Sequence, residues 1–119
     1  MTLSNIPAPV SAYIAATNNF DIEALMATFA EDALVNDHRN EFDTRDAIRN
    51  WARREIVGDR ITMQVIGSSC RGNAVAITAN IDGNFDKTAL PDPLVLTFYF
   101  SVSREQIDQL IIVHNKAGT

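Results

Sequence analysis

The second half of the sequence consists of four long segments in which apolar and polar residues alternate. These segments are Ile61 to Cys70, Ala74 to Asp82, Leu94 to Ser103, and Ile107 to His114. An alternation with period two is typical of strands that bury one face. Arg71-Gly72-Asn73 and Arg104-Glu105 supply short turns between neighbouring segments. We therefore predict four consecutive strands paired as an antiparallel meander.

The beginning of the sequence predicts two helices. The first runs from Pro7 to Asn18, because Pro7 and Pro9 are compatible only with a first helical turn. Its apolar face recurs at helical spacing and consists of Ile6, Val10, Tyr13, Ile14 and Thr17. Asp21 is the predicted N-cap of the second helix. The apolar stripe of that helix consists of Ile22, Leu25, Met26 and Phe29.

A short strand and a third helix separate these helices from the meander. The strand is predicted from Ala33 to Asp37, followed by a polar loop. Asp43 or Thr44 can cap the third helix. The apolar face of that helix consists of Ala47, Ile48, Trp51 and Ile56. We expect Gly58 to end it at the C′ position.

Helical patterns followed by strand patterns indicate an α+β fold. Three N-terminal helices would pack on a curved, mostly antiparallel sheet, and the concave side would enclose a pocket. The chain has 119 residues, of which 46% are apolar, and this is enough for one core but not for two. We therefore expect a single domain over residues 1–119.

The charge distribution argues against polyanionic partners. The net charge is -5, and eight acidic residues precede position 47, where only Arg39 and Arg45 oppose them. We therefore expect neither nucleic acid nor a membrane surface as a partner. No Lys or Arg precedes Arg39, and no apolar run approaches the length of a bilayer span. A cytoplasmic location is the resulting expectation.

Metal and cysteine chemistry have little support in the sequence. Cys70 is the single cysteine, which excludes an internal disulfide and a cysteine-based metal cluster. The two histidines, His38 and His114, lack a spacing such as His-x-x-x-His that would predict a preformed ligand set. We expect no metal and no cofactor.

Tyr13 and Asp37 are the candidate catalytic residues. If the intervening helix folds back, the phenol of Tyr13 and the carboxylate of Asp37 can face one cavity. A carboxylate there can abstract a proton, and a phenol can donate a hydrogen bond to the resulting oxyanion. Structural roles are the alternative: Asp37 can cap the following loop or pair with Arg39, and Tyr13 can belong to the core.

The histidines have different expected positions. His38 directly follows Asp37, so its side chain should point away from that of Asp37 into solvent, unless the chain bends there. His114 shares its parity with Leu110 and Ile112, which predicts an apolar sheet face, as a core histidine or at the pocket. We include His114 among the ligand-binding candidates. The others are Trp51, Met63, Leu96 and Phe98.

Two strands raise the question of which face is turned inward. In the second meander strand Thr78, Asn80 and Asp82 alternate with Ile77, Ala79 and Ile81, and the sequence does not decide which set faces the pocket. In the third strand we expect Leu96, Phe98 and Phe100 to point inward. The opposite face would then carry Val95, Thr97, Tyr99 and Ser101. This flat and mostly uncharged surface predicts a homodimer.

Three segments together resemble the SnoaL-like and ketosteroid-isomerase-like branch of the nuclear transport factor 2 superfamily. They are Tyr13 to Asp21 (YIAATNNFD), Met26 to Asp37 (MATFAEDALVND) and Arg45 to Trp51 (RDAIRNW). The resemblance covers the whole chain in element order. It implies a cone-shaped α+β fold with a deep pocket, commonly as a dimer formed through the outer sheet face.

The resemblance also implies roles for individual residues. Tyr13 falls where the ketosteroid isomerases have their oxyanion tyrosine, and Asp37 falls where they have the base that moves the proton. The chain departs from those isomerases on the third meander strand, where they place a protonated Asp as a second oxyanion donor. Leu96, or Thr97 if the register differs by one, stands there instead. This departure argues against steroid isomerisation itself.

The resulting functional hypothesis is a binder of a small, largely apolar molecule that carries a carbonyl group or is polyketide-like. Asp37 would be the general acid/base and Tyr13 the oxyanion donor in a cofactor-independent isomerase, cyclase or dehydratase. A dehydratase would require His114 to converge with both residues. The alternative is a non-catalytic ligand-binding or dimerisation module of the same fold.

Overall fold

The computed structural model describes residues 6–114, in which helices pack on one face of a six-stranded sheet. The helices are α1 (Ala8–Asn18), α2 (Ile22–Ala27) and α3 (Arg45–Ala52), and α3 continues as a π-helical segment (Arg53–Gly58). The strands are β1 (Phe29–Asp37), β2 (Asn40–Phe42), β3 (Thr62–Arg71), β4 (Ala74–Asp82), β5 (Leu94–Ser103) and β6 (Gln106–His114).

The strand order in the sheet is β2-β1-β6-β5-β4-β3. The last four strands form the predicted antiparallel meander. β1 lies beside β6 and is parallel to it, so that Asp37 is next to Ile112. The prediction of an α+β fold with a mostly antiparallel sheet is confirmed, and the ends of β1 and β6 meet at one edge of the inner face.

Two predicted helix caps are present. The carboxylate of Asp21 accepts a hydrogen bond from the N–H of Ala24 at 3.1 Å. The hydroxyl of Thr44 accepts one from the N–H of Ala47 at 3.1 Å, so Thr44 rather than Asp43 caps α3. Each cap satisfies a donor that the first turn of a helix leaves unpaired.

The prediction that Phe29 belongs to the stripe of α2 is wrong. The helix ends at Ala27, and Phe29 is the first residue of β1, where it pairs with Ile107. The N–H of Ile107 donates to the carbonyl of Thr28 at 2.8 Å. This pairing with β6 starts the strand four residues before the predicted Ala33, because sheet hydrogen bonds replace those of a further helical turn.

Gly58 ends the third helix without the expected left-handed C′ conformation. A widened π-helical turn runs from Arg53 to Gly58, and the left-handed residue after it is Arg60, with φ 54°. A Cβ at Gly58 would lie 3.3 Å from the carbonyl oxygen of Arg53. Gly58 therefore provides room for a close backbone approach rather than a positive φ.

Arg45 connects the start of α3 to the end of α2. Its guanidinium donates hydrogen bonds to the carbonyl oxygens of Met26 and Phe29 at 3.2 Å each, and to that of Ala30 at 3.4 Å. These carbonyls lie where the helix has ended and the strand is starting, so they lack helical partners. These hydrogen bonds hold α3, and with it Trp51, against the start of β1.

The inner face of the meander is apolar. Leu96, Phe98 and Phe100 are buried, as predicted, while Tyr99 on the opposite face is 49% exposed. In β4 the apolar set is the buried one and consists of Ile77, Ala79 and Ile81. The sheet therefore turns apolar side chains toward the helices on both strands.

Candidate active site

A cavity of about 280 Å³ lies between the helices and the inner face of the sheet. All seven residues proposed from the sequence line it: Tyr13, Asp37, Trp51, Met63, Leu96, Phe98 and His114. Its wall is mostly apolar, and the polar side chains come from α1, from the ends of β1 and β6 with the adjoining turn, from the π-helical segment and from two loops. The structure thus brings the candidates together, while their participation in binding or catalysis stays a prediction.

Asp37 is held at the cavity by the sheet and by the third helix. It is the last residue of β1, and its side chain is 18% exposed. The indole N–H of Trp51 donates to Asp37 Oδ2 at 3.0 Å. A buried indole needs such a partner, so the hydrogen bond satisfies Trp51 and fixes the orientation of the carboxylate.

His38 is an exposed residue of a turn, as predicted, but the expectation that its side chain points away from Asp37 is wrong. His38 and Arg39 form the turn between β1 and β2 and both have positive φ, 51° and 75°. Two successive left-handed residues match the twist of a tight hairpin. The turn brings His38 Nδ1 to 2.5 Å from Asp37 Oδ1, so Asp37 pairs with His38 rather than with Arg39.

His114 lies beside this pair. It is the last residue of β6, opposite Leu96 and two residues after Ile112, which is adjacent to Asp37. The rings of His38 and His114 are 4.3 Å apart between centroids and tilted by 55°. Ile112 and His114 both line the cavity, so the predicted parity of His114 is correct. Two imidazoles and one carboxylate therefore meet at the strand end of the cavity.

Tyr13 occupies the helix end of the cavity and is 1% exposed. Its ring packs edge-on against Phe29 and Phe100, at centroid distances of 6.0 and 5.2 Å. Burial raises the pKa of the Tyr13 phenol well above its usual value, and the negative charge of Asp37 raises it further. At neutral pH the phenol keeps its proton and can act as a hydrogen-bond donor.

The resemblance pointed to Leu96 or Thr97 at the position of the second oxyanion donor of the ketosteroid isomerases. Leu96 lines the cavity, and Thr97 is not among the lining residues. Thr97 pairs with Val113 and Thr78 in the sheet and shares its parity with the exposed Tyr99. Of the two residues that the resemblance placed at the position of that donor, Leu96 is therefore the one that faces the cavity.

Other lining residues were not proposed from the sequence. They include Thr17 on α1, Glu55 on the π-helical segment, and Phe85 and Leu90 in the connection between β4 and β5. Thr17 follows Tyr13 by four residues, and this spacing places both on one face of a helix. That spacing is the one signal that could have identified Thr17. The loop residues carry no periodic pattern that would assign them to the cavity.

The described residues 6–114 show neither a metal-binding cluster nor a membrane-spanning helix. No three or more His, Cys, Asp or Glu side chains in this range are arranged to hold a metal ion. No helix in the same range has the length and apolar character needed to cross a bilayer.

The model of the SnoaL-like domain family matches residues 10–110. Among solved structures, a protein of Sinorhizobium meliloti provisionally named a polyketide cyclase is 26% identical, with a TM-score of 0.85. The alignment covers 95% of this chain and 100% of that one. No curated protein matches the sequence significantly.

Two further structures share the fold at lower identity. A protein of Xanthomonas campestris, also provisionally named a polyketide cyclase, is 23% identical with a TM-score of 0.74, and the alignment covers 90% of this chain and 87% of that one. A Catenulispora acidiphila protein with a ketosteroid isomerase-like fold, crystallised with trimethylamine, is 22% identical with a TM-score of 0.76. That alignment covers 90% of this chain and 85% of the other.

Proposed function

Since the chain belongs to the SnoaL-like domain family, we propose that its cavity binds a small, largely apolar molecule with a carbonyl group, such as a polyketide-like compound, and catalyses a proton transfer without a cofactor. One observation carries the proposal. A carboxylate held by Trp51 and a buried, protonated phenol line the same apolar cavity. A base that removes the proton and a donor that stabilises the enolate oxygen are the two groups that promote enolisation of a ketone.

The reaction starts with a carbonyl oxygen near the Tyr13 hydroxyl. Asp37 removes a proton from the carbon next to the carbonyl, the C–H electron pair forms a C=C bond, and the carbonyl π electrons move to oxygen. The Tyr13 hydroxyl donates a hydrogen bond to this enolate oxygen. In an isomerase Asp37 returns the proton to another carbon. In a cyclase the enolate carbon attacks a second carbonyl of the same molecule, whose oxygen takes the proton.

Hydrogen exchange in a simple ketone tests the proton transfer directly. In D₂O, 2-tetralone exchanges the hydrogens next to its carbonyl, and proton NMR follows their loss. We expect the protein to accelerate this exchange above the buffer rate and Asp37→Asn to remove the acceleration. The variant keeps the size of the side chain and an oxygen that can accept from Trp51, so its fold can be verified by circular dichroism.

Binding without exchange would identify the alternative, a non-catalytic binding module. The observation that favours this alternative is Leu96, since losing one oxyanion donor costs about 10²–10³ in turnover. Isothermal titration with 2-tetralone separates the two functions. A wild-type protein that binds the ketone but leaves its exchange at the buffer rate would contradict the enzymatic proposal and retain the binding one.

A dehydratase is a second candidate, supported by the contact between His38 and His114 beside Asp37. Asp37 would remove the proton next to a carbonyl while the bond to a β-hydroxyl breaks, and that hydroxyl would leave as water with a proton from His114. Dehydration of 3-hydroxy-1-tetralone yields 1-naphthol, which fluorescence detects. His114→Gln should abolish this product and preserve the exchange of 2-tetralone. Loss of both reactions would contradict a separate role for His114.

We also propose that the protein is a homodimer formed through the outer sheet face. Tyr99 and Val113 lie on the face opposite the cavity and are 49% and 37% exposed. Large apolar side chains on a flat sheet are typical of an interface. Light scattering should give twice the chain mass of 13.1 kDa, and Tyr99→Lys should reduce it to the monomer. A wild-type monomer at tens of micromolar would contradict the proposal.

A further inference from the structure

Thr17 has a buried hydroxyl for which the structure shows no well-formed hydrogen bond. It lies on α1, one turn after Tyr13, and is 1% exposed. Its Oγ1 has no hydrogen-bond partner within the part of the chain that the structure describes. Thr17 lines the same cavity as Tyr13, Asp37 and Leu96.

Another buried threonine shows what a structural hydroxyl does in this protein. The hydroxyl of Thr28 donates to the carbonyl of Leu25 at 2.7 Å, the usual bond of a threonine at a helix. Thr17 makes no such bond to the carbonyl one turn earlier. A buried hydroxyl without a partner destabilises the folded protein relative to an apolar group of the same shape. Its position is therefore better explained by a partner that enters the cavity.

The neighbours of Thr17 indicate which group that partner carries. Residues four apart on a helix lie one above the other on the same face, so the hydroxyls of Tyr13 and Thr17 are neighbours. A hydrogen-bond interaction with the Thr17 side chain lowers the pKa of the Tyr13 phenol and is the smallest of the three effects on it, although Oγ1 of Thr17 has no partner at full hydrogen-bond geometry. The apolar Leu96 offers no hydrogen bond at the place where a second donor would be expected. The helix end of the cavity thus has two hydroxyls available for one ligand oxygen.

We infer that Thr17 is the second hydrogen-bond donor to the ligand oxygen that Tyr13 binds, so that α1 alone supplies a two-hydroxyl site for a ketone-type oxygen. This inference rests on the proposed function, because it assumes that the ligand is an apolar carbonyl compound. The inference narrows the class of ligands. A ligand must carry an oxygen acceptor that reaches the buried helix end of the cavity, and its apolar part must lie along Phe98 and Leu96.

A matched pair of ligands tests the second donor. 2-Acetylnaphthalene carries a ketone, and 2-isopropylnaphthalene has nearly the same shape without the oxygen. By isothermal titration, Thr17→Val should lower the affinity for the ketone about fivefold, as expected for one lost hydrogen bond. The affinity for the hydrocarbon should stay within about twofold, because Val has nearly the shape of Thr and the hydrocarbon has no oxygen that could accept a hydrogen bond. Thr17→Ser, which retains a hydroxyl, should restore the binding of the ketone.

The outcomes separate the inference from the proposed function. If Tyr13→Phe weakens ketone binding and Thr17→Val does not, the cavity binds ketones as proposed and Thr17 is not a donor. If the wild type binds neither naphthalene, both the proposed function and the inference are wrong. If Thr17→Val weakens both ligands equally, its effect is on packing, which also overturns the inference.

Thermal unfolding without ligand provides a second measurement. If the Thr17 hydroxyl has no partner in the free protein, replacing it by the isosteric Val should leave the melting temperature unchanged or raise it. A melting temperature several degrees lower would show that the hydroxyl has a partner inside the protein, and the inference would fail. Thr28→Val is the matched control and should lower the melting temperature, because it removes the bond to Leu25.

Discussion

The cavity has two ends that differ in burial and in charge. At the helix end Tyr13 and Thr17 are each 1% exposed and carry hydroxyls, whereas at the strand end the side chains of Asp37 and His38 are 18% and 36% exposed and carry a carboxylate and an imidazole. Both ends belong to one cavity in the same hydrophobic core. The difference places a deeply buried hydrogen-bond donor and a more exposed carboxylate in one apolar cavity.

Secondary structure explains why the two ends differ. Tyr13 sits in the middle of α1, where its side chain is covered by Phe29 and by Phe100 of the sheet. Asp37 and His114 are the last residues of their strands, so they reach the edge of the sheet and solvent. Groups near water keep their charged forms at small cost, and buried groups do not.

The largest expected effect comes from removing the phenolic hydroxyl at the helix end of the cavity. Tyr13→Phe removes the phenolic donor and leaves the ring, so the acceleration of 2-tetralone exchange should fall about 10²–10³-fold, or roughly 2.7–4 kcal/mol. The same substitution at Tyr99, on the outer sheet face, is the control and should leave the exchange rate unchanged. Equal rates for wild type and Tyr13→Phe would show that the buried phenol does not face the enolate oxygen.

A smaller effect is expected at the strand end of the cavity, where Trp51 of the third helix holds Asp37. Trp51→Phe removes the indole N–H that donates to Asp37 Oδ2, and hydrogen bonds to charged groups contribute about 1.5–3 kcal/mol. Urea unfolding should show a loss of that size in the free energy of unfolding. In the Asp37→Asn background the loss should be smaller. An equal loss in both backgrounds would assign the effect to packing alone.

The burial of Tyr13 at the helix end of the cavity also predicts how the free energy of unfolding changes in alkaline solution. Burial and the charge of Asp37 raise the folded-state pKa of Tyr13. The stability from this group is therefore complete below the unfolded-state pKa, near ~10, and is lost as the pH rises toward the folded-state pKa. Relative to Tyr13→Phe, the wild type should lose up to about 1.4 kcal/mol per pH unit above that point.

Urea unfolding of both proteins between pH 9 and 11 measures this difference. The Tyr99→Phe variant is the comparison, because it also lacks one phenol, but on the outer sheet face and outside the cavity. A stability difference between wild type and Tyr13→Phe that stays constant over this range would contradict the burial of Tyr13 in solution.

How much of the fold could be predicted from the sequence depends on whether nearby or distant residues determine each feature. The meander was predictable because every second residue of β4 and β5 is apolar, and the caps at Asp21 and Thr44 because they depend on residues only three apart. Phe29 was misassigned because its spacing from Met26 fits a helix, while its actual position is set by pairing with Ile107, far along the chain. Local patterns contain no information on such a distant partner.

The candidate site was predictable in its residue types and less so in its geometry. The resemblance placed Tyr13 and Asp37, and both line the cavity. The orientation of His38 depends on two left-handed residues, neither of which is Gly, Asn or Asp, and such residues give no turn signal. Thr17 was expected on the helix face, but its missing hydrogen-bond partner becomes visible only when the surrounding atoms are placed.

The smallest expected effect concerns His38 at the strand end. A partly exposed contact between an imidazole and a carboxylate contributes at most about 1 kcal/mol, so His38→Asn should change the free energy of unfolding by less than that. Asn also tolerates the left-handed backbone at this turn. Under the proposed roles the imidazole positions Asp37 and does not itself remove the proton, so the exchange rate of 2-tetralone should fall by no more than about fivefold. A loss as large as that of Asp37→Asn would instead make His38 the base, with Asp37 orienting it, and would reverse the roles assigned to this pair.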